Sequence, residues 1–354
     1  MLNQLSIGSL KVKCPIIQGG MGIGISKAGL ASAVANQGGV GVISAAGLGM
    51  FQKTENRGVS MMNALKNEIR KARSMTKGIL GVNIMVAMTN FKDLVKTAIS
   101  EKIDIVFAGA GLPLDLPKYR EAPSNTKLVP IISSARAAKI IMKKWWDRYK
   151  TLPDAFVLEG PKAGGHIGFK ESQIDNPAYQ LEALLPEVLK TVKSFESLRG
   201  KSIPVIAAGG IYTGKDIAKV LELGASGVQM GTRFVTTHEC DADHAFKQSY
   251  INSKKSDMAI ITSPVGLPGR AIQNTFLTSV KIGEKHPVSC PFDCIKTCGK
   301  KDAPYCISLA LHNAQKGNLE KGFAFAGANA YKAEKIISVE SLFSELIDQY
   351  EHAV

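Results

Sequence analysis

The sequence of 354 residues contains no apolar run near the ~20 residues that a membrane-crossing helix needs, which excludes a transmembrane role. Its opening stretch, MLNQLSIGSLKVKC, lacks the apolar core and small-residue cleavage site of a secretory signal, so the expected location is the cytoplasm. The C-x2-C pairs of a zinc knuckle are missing, as is a standard ferredoxin cysteine run. No Pro/Gly/Ser-rich linker divides the chain into independent domains. Lys and Arg exceed Asp and Glu by 44 to 30, a net charge of +14, yet the lysines are spread without an RNA-binding signature. Nucleic acid is therefore not expected as a partner. The excess suits phosphorylated cofactors, an acidic carrier protein, or merely a solvated basic surface.

Apolar material is ample at 45%, with 21% charged residues, so a large folded core is expected. Short apolar runs recur at residues 14–18, 40–44, 80–85, 103–108, 128–133, 155–159, 204–208 and 227–234. They are continuous rather than alternating, which suits parallel strands buried on both faces. Between them, residues 27–36, 61–74, 90–100, 135–149, 181–194 and 213–223 place apolar side chains at helical intervals. One connection, residues 114–122, is bracketed by Pro113 and Pro123 and holds Pro117, so only a short or irregular helix fits there. Eight strand–helix repeats predict an α/β fold, a (β/α)8 TIM barrel spanning residues 1–280. Residues 238–267 read as a helical excursion after the eighth strand. Residues 281–354 form a helical, cysteine-rich C-terminal extension packed on the barrel, with a last helix at 338–350.

In such a barrel the active site lies on the loops that follow the strands, which turns the strand list into a site list. After the first strand, residues 19–24 read GGMGIG, either a tight turn or backbone laid flat against a planar ligand. Asn83 is an amide within an apolar third strand; it needs a partner in the core or on the polar edge of a ligand. The sixth strand ends at Glu159 and runs into a glycine-rich loop carrying His166. A lone histidine is often structural, but on this loop an imidazole is placed to move a proton near neutral pH. Ala208, Gly209 and Gly210 end the seventh strand, and Gln229, Met230, Gly231 and Thr232 end the eighth. That pair of loops is where barrel enzymes bind phosphate with bare backbone amides.

The strings CPIIQGGMGIG, GVNIM, EGPKAGGHIG, IPVIAAGGI and VQMGTRF, in this order, resemble the nitronate monooxygenase (2-nitropropane dioxygenase) family. The FMN-type enoyl-acyl carrier protein reductases are similar in scaffold and motifs. The resemblance implies an FMN-binding barrel in which Gly20, Met21 and Asn83 contact the isoalloxazine ring. It implies that Ala208, Gly209, Gly210, Gln229, Met230, Gly231 and Thr232 hold the ribityl phosphate, and that His166 is catalytic. The implied activity is oxidative denitrification of alkyl nitronates by dioxygen. The alternative is an NAD(P)H-dependent enoyl-acyl carrier protein reductase, with acyl carrier protein as partner, or a related quinone reductase. The Glu-Gly start and His-Ile-Gly end of the histidine loop are closer to the reductases. Residues 263–271, SPVGLPGRA, resemble the monooxygenases. A flavin- or metal-binding interaction protein without turnover is the non-enzymatic alternative, and a homodimer is the expected assembly.

Six cysteines without a secretory signal point to reduced thiols. Cys14 and Cys240 stand apart and are expected to be buried as small apolar side chains. Cys290, Cys294, Cys298 and Cys306 cluster as C-x3-C-x3-C-x7-C. Spacing of four puts the first three on one helical face, with Ser289 or Cys290 capping and Pro291 at the first helical position. The four local thiols could bind an iron–sulfur cluster or zinc; the alternative is a packed helix face or redox-labile thiols near the flavin.

Overall fold

Eight parallel strands close on one another in the computed structural model, which describes residues 2–52, 56–120, 123–284, 290, 292–299 and 303–354. The strands are β1 (Ile16–Gln18), β2 (Val40–Ser44), β3 (Ile79–Met85), β4 (Ile105–Gly109), β5 (Lys127–Ile132), β6 (Phe156–Glu159), β7 (Val205–Ala208) and β8 (Gly227–Met230). Each pairs with its sequence neighbour, and β8 pairs back onto β1 to complete the TIM barrel. The helices between consecutive strands include α1 (Ala28–Asn36), α2 (Arg57–Met75), α3 (Phe91–Ser100), α4 (Ala135–Tyr149), α5 (Leu181–Arg199) and α6 (Gly214–Glu222). The proline-rich connection between β4 and β5 holds one 3-10 turn, Leu116–Tyr119, as its prolines demand.

Burial explains the continuous apolar runs. Every residue of β2, β4 and β7 is buried, because one face meets the barrel interior and the other meets the helices. Ile17, Val42, Ile105, Phe107, Val129, Val157 and Ile206 fill the interior. Leu30, Leu65, Leu94, Trp145, Leu185 and Ile217 fill the outer layer between strands and helices. Burying one such side chain stabilises the fold by roughly 1.5–3 kcal/mol. Close approach matters as much as bulk: a Cβ on Gly41 would lie 1.7 Å from the Ala31 carbonyl oxygen, so α1 can reach β2 only over a glycine. An N-terminal hairpin, Leu5–Ile7 with Leu10–Val12, adds Leu5, Ile7 and Val12 to the interior cluster. The interior therefore extends to a hairpin at the start of the chain, and the strand C-termini are left to the loops.

Three expectations are corrected. The eighth strand stops at Met230 instead of reaching residue 234, and Thr232–Val235 is a helical turn that buries Phe234. Gly231 ends the strand, so the apolar residues beyond it pack as helix. The excursion at 238–267 is only half helical. His244–Ile251 is a helix, but Met258–Thr262 is a strand paired antiparallel with Pro268–Ile272. The 263–267 segment is the turn of that hairpin, and the hairpin captures residues Gly165–His166 as a third strand. Finally, the described part of residues 290–306 contains no helix; the helix begins at Ile307 and ends at Gln315.

Candidate active site

Strand register brings the polar strand ends together. Ala208 lies opposite Glu159 on one side and Gln229 on the other, Met230 lies opposite Gln18, and Asn83 lies opposite Ser44. Asn83, Glu159 and Gln229 are half-buried, and none of the three side chains has a hydrogen-bond partner among the described residues. A polar group at the end of a buried strand is costly without a partner, about 1–3 kcal/mol. Three of them around one barrel mouth are what a polar ligand would satisfy.

The glycine loops bound the same space. A Cβ on Gly20 would fall 2.4 Å from the Asn83 Cβ, and one on Gly19 would fall 3.5 Å from the Gln229 Cγ. Gly231 faces the Met21 thioether, whose sulfur would stand 3.4 Å from a Cβ at that position. Gly20, Met21, Asn83, Gln229 and Gly231 thus converge along β8, β1 and β3. Gly209 and Gly210 both adopt left-handed backbone, with φ of 92° and 90°, as the loop follows Ala208 out of β7. The Met230 carbonyl accepts the Gly19 amide at 2.9 Å, and its side chain is buried in the outer layer, so its backbone is what lies at the strand end. These residues could hold a planar ligand with a phosphate tail. Flat glycine backbone meets the Asn83 amide at one end, left-handed glycines lie near a threonine hydroxyl at the other, and the Gln229 amide stands beside Ala208 between them.

His166 reaches the mouth through the captured strand. It lies opposite Gly269, and its Nε2 is 2.7 Å from the Ser263 Oγ. The Phe325 ring packs edge-on against the imidazole with centroids 5.1 Å apart. The loop leading to it is held by buried Arg270, whose Nη1 donates to the Pro161 carbonyl at 2.6 Å and the Ala163 carbonyl at 2.9 Å. Ser263, Arg270 and Phe325 were not among the expected site residues. They come from 97 or more residues downstream of His166, Pro161 or Ala163, and only the pairing of the hairpin with the histidine strand reveals them.

Burial shifts both titrating groups toward neutrality. Desolvation pushes Glu159 up to about 7 and His166 down to about 4. The two act oppositely on stability. Folded Glu159 keeps a proton that the unfolded chain releases near 4.5, so its contribution is full below pH 4.5 and is lost as pH rises through about 7. Folded His166 refuses a proton that the unfolded chain takes near 6.5, so its contribution is full above pH 6.5 and is lost as pH falls through about 4. Glu159→Gln is therefore expected to flatten the decline in melting temperature between about pH 4.5 and 7. Melting curves of both proteins across that window decide it, and parallel curves would remove Glu159 as the titrating group.

The cysteine expectations divide. Cys14 and Cys240 are buried, and desolvation raises their thiols to about 12 and about 11. The helical face through Cys290, Cys294 and Cys298 does not form. The segment instead runs beside the loop after β3: the Thr89 amide donates to the Cys294 carbonyl at 3.2 Å, and Ile295 bridges Met88. Ser289 and Pro291 lie outside the described residues. Among the described residues no group of three or more His, Cys, Asp or Glu side chains is arranged to hold a metal ion. Cys290, Cys294, Cys298 and Cys306 form no disulfide, and burial raises the thiols of Cys294 and Cys306. The iron–sulfur or zinc expectation rested on four thiols lying close in sequence, and the described residues do not gather them into a metal-holding group.

A family model described as nitronate monooxygenase matches residues 3–349. A probable nitronate monooxygenase of Staphylococcus aureus is 29% identical over 304 residues, covering 76% of this chain and 78% of the relative. A (3aS,4S,5R,7aS)-5-hydroxy-7a-methyl-1-oxo-octahydro-1H-indene-4-carboxyl-CoA dehydrogenase of Mycobacterium tuberculosis is also 29% identical, over 275 residues, covering 77% of this chain and 67% of the relative. Among solved structures, FabK from Thermotoga maritima superposes with a TM-score of 0.74 at 28% identity, covering 96% of this chain and 94% of that one.

Proposed function

The chain belongs to the nitronate monooxygenase family and is an oxidoreductase, and from that premise we propose that it is an FMN-dependent nitronate monooxygenase. Its substrate is an alkyl nitronate, converted with dioxygen to a carbonyl compound and nitrite. FMN, when bound, supplies the redox chemistry, and the chain supplies position and protonation. Gly20, Met21 and Asn83 would lie against the ring; Ala208, Gly209, Gly210, Gln229, Gly231 and Thr232 would hold the phosphate end.

The observation that carries this reading is the state of His166. Its imidazole is neutral down to about pH 4, and Nε2 is engaged by Ser263, which leaves Nδ1 without a protein partner among the described residues. With Nε2–H donated to Ser263, Nδ1 presents a lone pair that can take the acidic C–H proton of a nitroalkane or orient a nitronate oxygen through that proton. The imidazole carries no charge over the whole physiological range, so Nδ1 stays open as an acceptor there.

A second reading is favoured by the relatives themselves, since a CoA-thioester dehydrogenase is as similar to this chain as a probable nitronate monooxygenase. It is an NAD(P)H-dependent reductase of enoyl thioesters, on acyl carrier protein or CoA, or of quinones. Anaerobic mixing of the yellow protein with NADH and NADPH separates the two. The monooxygenase reading expects the oxidised-flavin absorbance to persist with both nucleotides and to fall with an alkyl nitronate. Rapid bleaching by either nucleotide would overturn it in favour of the reductase.

A further inference from the structure

One side of the phosphate-end loops is closed by residues 325–329, which come from nearly a hundred positions beyond the last glycine motif. Gly327 donates its amide to the Thr232 Oγ1 at 2.9 Å, and Asn329 donates Nδ2 to the Gly210 carbonyl at 2.6 Å. The Ala328 amide donates to the Lys162 carbonyl at 3.1 Å, and the Ala326 amide to the Arg270 carbonyl at 3.0 Å. Phe325 is the ring packed on His166, and its carbonyl accepts the Tyr250 hydroxyl at 2.5 Å. The loops after β6, β7 and β8 are thus each tied to the same five residues. The approach is close enough to require glycine on both sides: a Cβ on Gly164 would lie 2.6 Å from the Gly327 nitrogen, and one on Gly327 would lie 2.7 Å from the Thr232 Oγ1.

We propose that residues 325–329 are a clasp on the phosphate end of the flavin, which makes the site selective for the phosphorylated cofactor over riboflavin and links its retention to the seat of His166. The inference rests on the reading of this mouth as an FMN site. A threonine hydroxyl has one proton to donate and two lone pairs. Gly327 occupies a lone pair of Thr232, which fixes the oxygen and leaves its proton for a phosphate oxygen. Asn329 fixes the peptide after Gly210, so the left-handed glycine turn keeps its amides directed at the same place. Phe325 carries the opposite end of the segment onto the imidazole. None of these contacts reaches the ring-binding loops at Gly20 and Asn83, and riboflavin would use only those.

Fluorescence titrations of flavin-stripped full-length protein with FMN and with riboflavin test the clasp. Asn329→Ala and Thr232→Val are each expected to weaken FMN about tenfold and to leave riboflavin affinity unchanged. Hydrogen exchange across residues 325–329 should slow on addition of FMN and not on addition of riboflavin. If the variants weaken both flavins equally, or neither, the segment is structural and the clasp is overturned while the FMN site stands. If the unsubstituted protein binds neither flavin, the FMN reading itself fails, and the clasp with it.

Discussion

Gly231→Val is expected to yield a folded protein without flavin. Gly231 has φ of −103°, a region open to any residue, and the nearest atoms to a Cβ there are the Met21 sulfur at 3.4 Å and Cγ at 3.6 Å. Those are ordinary contacts with a flexible side chain, so the chain alone tolerates the branch. What the valine fills is the space in front of the β8 loop, where the phosphate end of FMN would come to backbone distance. The neighbouring glycines make poorer tests. A Cβ on Gly20 would collide with the Asn83 Cβ at 2.4 Å, and one on Gly209 would meet the Gly160 carbonyl at 2.7 Å with φ already at 92°. Substitutions there would lose flavin through misfolding. The flavin-to-protein absorbance ratio of Gly231→Val should fall at least tenfold, about the loss of one charge-assisted phosphate hydrogen bond or more, with a melting temperature close to that of the flavin-stripped parent. Full flavin content in that variant would sink the phosphate-site assignment.

His166→Ala is expected to keep its flavin and lose turnover. The imidazole bonds to Ser263 and packs on Phe325, and none of the glycine loops depends on it. The loop that carries it stays anchored by Arg270 at Pro161 and Ala163. Removing a positioned general base costs about 10²–10⁴-fold in rate. Ser263→Ala should cost less, about tenfold, because it removes only the hydrogen bond that orients the ring. Steady-state rates with an alkyl nitroalkane and its preformed nitronate distinguish the roles. A base is needed for the nitroalkane more than for the nitronate, so His166→Ala should widen the gap between the two substrates. Equal rates in variant and parent would remove His166 from the chemistry.

Part of this site was legible because it is local in sequence. β2 was read at residues 40–44 and is found there, since five consecutive buried residues leave one interpretation for a continuous apolar run. The glycine motifs carried the mouth in the same way: a left-handed turn at Gly209 and Gly210, or close packing at Gly20, is written in the residue type itself. Misreadings arose where two conformations fit one pattern. Residues 290–306 have cysteines at helical spacing, yet the backbone of Cys294 and Lys296 bonds to the loop after β3, and tertiary hydrogen bonds override a weak periodicity. Residues 258–262 read as helix and form a strand because Pro268–Ile272 lies alongside.

The amino-acid sequence by itself determined the barrel, the order of its loops and the glycine positions around its mouth, because each follows from residues within one strand–turn–helix unit. Only the tertiary structure decided how His166 is held. Ser263, Arg270 and Phe325 reach it through a hairpin and a segment far along the chain, and pairings at such separations leave no periodic trace in either partner. The same holds for the charge state of the mouth. Glu159 holds its proton up to about pH 7 and His166 stays unprotonated down to about pH 4 because the surrounding chain removes water from them, and desolvation belongs to the assembled fold rather than to any one residue.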